Sequence, residues 1–349
     1  MNNAIRAAII GSTGYGGVEL IRFLINHPYV EITSVISSSS AGESIVAHFP
    51  HLNHVMELDL DQVNIDLIKQ KSDIAFTATP SGVSSALIPD LLEAGLKVID
   101  LSGDYRLKSG EIYEKWYHHK PPLTSHLNQA VYGLSEVFTE DIRTAELLSN
   151  PGCYPTAASL GLIPALFMKK IDPESIIIDA KSGASGAGRK LGLSVHYAEL
   201  NENLKPYKVN HHQHIPEIEQ TLSRFVGEQT TITFTTHLVP MTRGIMCTMY
   251  ANLVEPCDEQ QLIDQYRTYY NGRPFVRIRN KGNWPSTKEV AGSNYCDIGF
   301  SIDERTGRLT IISVIDNVVK GAAGQAIQNL NLMMGWDETA GLEMIPVYP

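Results

Sequence analysis

One feature near the start of the chain excludes most folds. Residues 4–10, AIRAAII, form a near-continuous apolar run, the pattern of a central parallel strand covered on both faces. GSTGYGG follows at 11–17. From Val18 the apolar positions Val18, Ile21, Leu24 and Ile25 repeat at helical spacing until Asn26-His27-Pro28 stops them, and VEITSVISS then reads as a second strand. Strand, glycine turn, helix and strand make a βαβ unit, whose crossover requires a parallel sheet flanked by helices. The pattern recurs: DIAFTATP reads as a strand with Pro80 just beyond it, SSALIPDLLEAG as a helix ending at Gly95, and KVIDLSG as another strand. This alternation predicts an α/β fold with a Rossmann-type doubly wound sheet over residues 1–150.

The second half has a different texture. A helix is predicted over 157–170, and SIIIDAKSG, TTITFTTHLVP, GIMCTMYANLV and RLTIISVID read as largely alternating strands, which implies an α+β domain with one sheet face exposed. The final helix, KGAAGQAIQNLNLMM, carries small residues that permit close approach of another backbone. A length of 349 residues allows two domains, each with its own core. The net charge of −10, with both signs interspersed and no basic patch, argues against nucleic-acid binding. The most apolar window, Leu160 to Met168, is broken by Pro164 and too short to span a bilayer, so no membrane association is expected. MNNAIRAAII leads straight into a strand, leaving no room for a signal peptide, and a cytoplasmic location is expected. Cys153, Cys247, Cys257 and Cys296 lie far apart with no Cys-x-x-Cys pair, which fits reduced thiols rather than a zinc or disulfide framework.

Gly11, Gly14 and Gly17 stand three apart between strand and helix, where a dinucleotide fingerprint belongs. Glycine there lets backbone N–H groups and the helix N-terminus approach a pyrophosphate. The second strand ends in ISSSSAG, without the Asp or Glu that holds a ribose 2′-hydroxyl, which favours NADP.

Cys153, in SNPGCYPTAASLG, lies at or just before a helix start, where N–H groups and the helix dipole stabilise a thiolate and could stabilise an oxyanion; position alone leaves a nucleophile and a small core residue equally open. The other three cysteines read as structural. VNHHQHIPEIEQTL places His211, His212 and His214 before Pro216, so a general base, a metal pair and a solvated loop histidine all remain open. No third ligand at suitable spacing stands nearby, and no metal is expected. Glu217 suits either orienting a histidine or sitting in a helix's first turn. HFPHLNH, with His48, His51 and His54, reads as a surface loop lacking a carboxylate partner, and Trp284 as a packing residue. SGASGAGRK, Ser182 to Lys190, combines small residues with two cations, as an anion site would; Arg106 and Arg243 sit at the edges of strand-like runs.

Together these segments resemble the N-acetyl-gamma-glutamyl-phosphate reductases of arginine biosynthesis, relatives of the semialdehyde dehydrogenases. The resemblance covers nearly the whole chain: GSTGYGG, LSGDYRL, SNPGCYPTAASLGLIP, SGASGAGRK, HHQHIPEI, HLVPMTRGI, CDIGF and DNVVKGAAGQAIQ. It implies that Cys153 is the nucleophile, His212 the acid/base and Glu217 the carboxylate closing the histidine pattern. It further implies that NADP is held by Gly11, Ser12, Thr13, Gly14, Tyr15, Gly16, Gly17, Ser37, Ser38, Ser185, Gly186 and Asn317, and the substrate by Arg106, Ser182, Arg189, Lys190 and Arg243. Many relatives carry a basic residue after the second strand, and this chain has only serines there. The implied organisation is a cofactor domain of 1–150 rejoined by 318–349, and a catalytic and oligomerisation domain of 151–317, in a homodimer or homotetramer. The implied reaction is reductive dephosphorylation of N-acetyl-L-glutamyl 5-phosphate through a cysteine thioester. A related acyl phosphate of aminoadipyl or aspartyl type, free or carrier-bound, is the alternative substrate; a Cys/His thiol hydrolase or acyltransferase and a non-catalytic NADP sensor are alternative classes.

Overall fold

The computed structural model describes residues 4–348. Residues 1–3 and 349, included in the expected domain spans, lie outside them. The chain separates into two compact units: residues up to Pro151 with Ala322–Glu343, and Gly152–Gly321 with the tail from Met344.

The first unit is built on β1 (Ile5–Ile10), β2 (Val30–Ile36), β3 (Leu60–Asp61), β4 (Ile74–Thr77), β5 (Lys97–Asp100), β6 (Val131–Tyr132) and β7 (Leu147–Ser149). They form one sheet in the order β3-β2-β1-β4-β5-β7-β6, with every pairing parallel. Ala7 to Ile10 and all of β4 are buried, as the unbroken apolar runs require of strands covered on both faces. The short strands β3, β6 and β7 carry too few residues to leave a periodic signal.

Helix Gly324–Met334 completes this unit, with every residue from Gly324 to Met333 buried. The close approach expected of the segment's small residues is made at Gly321, where a β-carbon would lie 3.1 Å from Cys153 Cα, and a second one is made at Gly133, where a β-carbon would lie 2.5 Å from Asn329 Nδ2. The grip is polar. Gln325 Nε2 donates to Gly133 O (2.9 Å) and Ser135 Oγ (2.8 Å), and Asn329 Nδ2 donates to Gly133 O (2.7 Å) and Asn150 Oδ1 (3.0 Å). Such a network specifies one docking register, because each buried amide left unpaired is costly.

The second unit holds β8 (Ile177–Ser182), β9 (Lys205–Tyr207), β10 (Thr233–Leu238), β11 (Ile245–Asn252), β12 (Val276–Ile278), β13 (Cys296–Asp303) and β14 (Arg308–Ile315) in the order β12-β13-β14-β11-β8-β10-β9. Pairing is mixed: β8 runs parallel to β10 and antiparallel to β11. One face is buried, including Ile178, Met249, Ile311 and Phe300, while Asp179, Thr248 and Ile312 on the other are only half-buried. Helix Cys153–Phe167 packs on the buried face and is itself buried from Tyr154 to Leu166, so it reads as apolar all round. It begins four residues before the predicted 157. The tail joins this unit through the Val347 N–H bond to Ala291 O (2.9 Å).

Candidate active site

In the first unit, Gly11 has φ +88°, and a β-carbon there would lie 2.5 Å from Ala78 O. At Gly17 a β-carbon would lie 2.5 Å from Gly11 O and 2.6 Å from Ser12 Cα, so only glycine lets the helix meet the turn. Helix Tyr15–Leu24 starts at Gly14 with no side-chain cap, leaving its first N–H groups for an outside anion, and the nearest atoms to a β-carbon at Gly14 and Gly16 are Gly11 O at 3.4 Å and Ala78 Cβ at 3.9 Å. Such an open, uncapped cradle fits a dinucleotide pyrophosphate. Ser12 is buried and Tyr15 exposed; Thr13 Oγ1 lies 3.4 Å from Ser37 Oγ, beside the exposed Ser38. The sequence at the end of β2 lacks a carboxylate, but the fold brings one next to it. Asp61 on β3 pairs with Ile36, accepts from Ser34 Oγ (2.6 Å) and is bridged by Lys71 Nζ (2.8 Å).

Arg106 is buried in this unit, donating from Nε to Asn150 O (2.9 Å) and from Nη2 to Leu101 O (2.9 Å). Asn150 is also held by its own N–H to Asp100 O (2.7 Å) and by its side-chain amide to Ala322 O (3.0 Å). The residue three before Cys153 is thus fixed from several directions, which no local sequence signal announced.

In the second unit, half-buried Cys153 is the first residue of its helix, with Gly152 as an N-cap that supplies no side chain. Glu217, fully buried, accepts the Gly152 N–H at 2.8 Å. Its carboxylate therefore anchors the turn leading into the cysteine. Cys247 and Cys296 are buried in the sheet and Cys257 is half-buried.

His212 is buried among aromatic rings: Tyr154 at 5.5 Å, Tyr207 at 5.7 Å, Phe234 at 5.6 Å and His214 at 4.6 Å between centroids. Burial, with the nearby Lys208 charge adding to it, pushes its pKa down to about 3. The His214 backbone N–H donates to His212 Nδ1 at 3.1 Å. The neutral ring then carries its proton on Nε2, which leaves that nitrogen as a donor. Tyr154 and Tyr207 share a 3.0 Å hydroxyl contact, and burial raises both phenols, Tyr207 to about 12. His211 is exposed.

Asn317 ties two loops together, its Oδ1 accepting the Gly244 N–H (2.7 Å) and its Nδ2 donating to Ser185 Oγ (2.9 Å). Ser182 Oγ would lie 3.0 Å from a β-carbon at Gly186, so the small-residue loop closes on itself. Arg243 Nη1 lies 3.6 Å from the buried Asp316 carboxylate, whereas Arg189 and Lys190 are exposed at the start of an excursion containing Leu191 and Tyr197. Two expectations need correction. His48 has a carboxylate partner, Glu43, at 2.9 Å, because a short helix, Ile45–His48, turns it back; Trp284 is half-exposed rather than packed. Among the described residues no group of three or more His, Cys, Asp and Glu side chains is arranged to hold a metal, and no helix is long and apolar enough to cross a membrane.

A glycine-turn βαβ unit followed by a mixed-sheet unit whose first helix opens on a cysteine places the chain in a class of two-unit, nucleotide-binding dehydrogenases. Two family models match: "Semialdehyde dehydrogenase, NAD binding domain" over residues 6–145 and "Semialdehyde dehydrogenase, dimerisation domain" over 153–317. The fold is similar to that of aspartate semialdehyde dehydrogenase II from Vibrio cholerae, with a TM-score of 0.75 at 18% identity, covering 95% of this chain and 99% of that one. It is also similar to aspartate semialdehyde dehydrogenase with NADP from Candida albicans, with a TM-score of 0.72 at 15% identity over 95% and 99%. The chain is 56% identical to the N-acetyl-gamma-glutamyl-phosphate reductase of Geobacillus sp. (strain WCH70), over 98% of this chain and 99% of that protein. It is 52% identical to that of Oceanobacillus iheyensis over 99% of each. The chain belongs to the semialdehyde dehydrogenase family, in its N-acetyl-gamma-glutamyl-phosphate reductase branch.

Proposed function

We propose that the chain is an NADPH-dependent N-acetyl-gamma-glutamyl-phosphate reductase, acting in the cytoplasm in arginine biosynthesis. It converts N-acetyl-L-glutamyl 5-phosphate to N-acetyl-L-glutamate 5-semialdehyde and phosphate. The observation that carries this reading is Cys153 at the first position of a buried, uncapped helix N-terminus, in a chain more than half identical to proteins of that name.

The Cys153 thiolate adds to the acyl carbonyl, whose electron pair moves to oxygen, and the helix N–H groups stabilise the oxyanion. Collapse expels phosphate and leaves a thioester on Sγ. NADPH, when bound, supplies the hydride that reduces the thioester carbon. His212 Nε2–H hydrogen-bonds to the oxygen that bears charge after reduction and keeps its proton, and that oxyanion re-forms the carbonyl as the C–S bond breaks to release aldehyde and thiolate. Glu217 keeps the Gly152 turn in place throughout. We assign the turn Gly11, Ser12, Thr13, Gly14, Tyr15, Gly16 and Gly17, with Ser37 and Ser38, to the cofactor, and Ser185, Gly186 and Asn317 likewise. The phosphate and α-carboxylate fall to Arg106, Ser182, Arg189, Lys190 and Arg243. The half-exposed face of the second sheet and the apolar side chains Leu191, Leu193 and Tyr197 support a homodimer or homotetramer.

The test is the reverse reaction at 340 nm with NADP⁺, inorganic phosphate and N-acetylglutamate 5-semialdehyde, using aspartate semialdehyde as control. NADPH formation that requires phosphate and the acetylated aldehyde is expected; a signal with aspartate semialdehyde alone, or with neither, overturns the reading. Cys153→Ser is expected to lose turnover by about a thousandfold or more while still binding NADPH.

A further inference from the structure

We propose that Gly321 is a positioning residue for the nucleophile, its bare α-carbon being what lets Cys153 keep its place at the helix N-terminus. The inference rests on the reading of Cys153 as nucleophile. Asp316, fully buried, accepts at Oδ1 from the N–H groups of Val318 (2.9 Å) and Val319 (3.1 Å), and at Oδ2 from that of Gly292 (2.8 Å), which fixes the segment's start. The Gly321 N–H then reaches back five residues to Asp316 O at 3.0 Å, within the π-turn Val319–Ala323. Such widened turns occur mostly as single insertions in helices, frequently at functional sites. This one brings Gly321 against the cysteine. A β-carbon built on Gly321 would lie 2.6 Å from Cys153 Cβ, 3.1 Å from Cys153 Cα and 3.3 Å from Ile315 Cδ1.

Carbon atoms pack at about 3.5 Å or more, so one side would have to move. The atom in the way is the root of the nucleophile rather than the tip of a flexible chain, and the preceding amide is anchored on buried Glu217. A methyl group at 321 therefore displaces Sγ, and a misplacement near 1 Å at a reacting centre costs about 100-fold in rate.

The test measures kcat and KM, NADPH binding, and the pH profile of iodoacetamide alkylation of Cys153, read on its own peptide by mass spectrometry, in Gly321→Ala. A kcat lower by about 100-fold, with KM and NADPH affinity within about threefold and a shifted alkylation profile, is expected. A stability cycle with Cys153→Gly covers poor folding: removing the cysteine side chain is expected to relieve most of the loss caused by Gly321→Ala, leaving only the tight contacts with the α-carbon at 153 and with Ile315 Cδ1. Wild-type turnover and alkylation in Gly321→Ala, or a stability loss undiminished in the Cys153→Gly background, overturns the proposal. Cys153→Ser in the same assay separates the two levels, since retained turnover there defeats the nucleophile reading itself.

Discussion

His212 meets its surroundings at two points, a backbone N–H on Nδ1 and a wall of aromatic rings, and both favour the neutral imidazole. Its pKa in the fold, about 3, lies below the ordinary histidine value of 6.5, so between those values the unfolded chain binds a proton that the folded chain refuses. Stability therefore rises with pH across that window and is lost as pH falls from 6.5 towards 3. Denaturant titrations from pH 4 upward are expected to show a steeper acid loss for the wild type than for His212→Asn; equal slopes would contradict a neutral buried ring. The groups facing it are Lys208, the neutral phenols of Tyr154 and Tyr207, and His214. Glu217 offers a second check. Glu217→Gln keeps an oxygen for the Gly152 N–H, whereas Glu217→Ala leaves that buried donor unpaired at a cost of about 1–3 kcal/mol. Unfolding midpoints of the two variants are expected to separate accordingly, with the alanine variant lower.

At the scale of the element, the helix Cys153–Phe167 contains a proline that ought to weaken it. Pro164 has no N–H to give to Leu160 O, four residues back. Tyr270 Oη donates to Leu160 O at 2.6 Å, and Tyr266 Oη donates to Gly161 O at 2.8 Å, so two hydroxyls from helix Glu259–Tyr269 and its end serve the carbonyls at the break. Tyr270→Phe is expected to lower unfolding free energy by about 1–3 kcal/mol with no change in denaturant slope, because the buried carbonyl loses its partner while packing is kept. A neutral result would mean the break needs no such repair. The sequence marked Pro164 as an interruption, but tyrosines a hundred positions away could not be matched to it by any local pattern.

For the whole molecule, the open face of the second sheet and the exposed apolar excursion near Leu191 call for a partner surface, and light scattering is expected to return a multiple of the 38.5 kDa chain. Replacing Leu191 and Leu193 by Ser is expected to shift the mass downward; a monomeric wild type would dismiss the idea. Much of this architecture was legible beforehand. Period and punctuation marked β1, β2, β4 and β5, the apolar runs of β1 and β4 because strands buried on both faces must be apolar, and the glycine spacing marked the turn, because only residues without a β-carbon fit at Gly11 and Gly17. The cysteine's place at a helix start was legible for the same reason, as a local signal. What the chain alone could not disclose were relations between distant residues: Glu217 on the Gly152 amide, Asp61 beside Ser34 of β2, Gly321 against Cys153, and buried amides joining the apolar contacts that dock the last helix. Local sequence determines which residues can form an element and which face it buries; hydrogen bonds and close contacts across 24 to 196 positions are decided only when the sheets close and the burial of each polar group demands a particular partner.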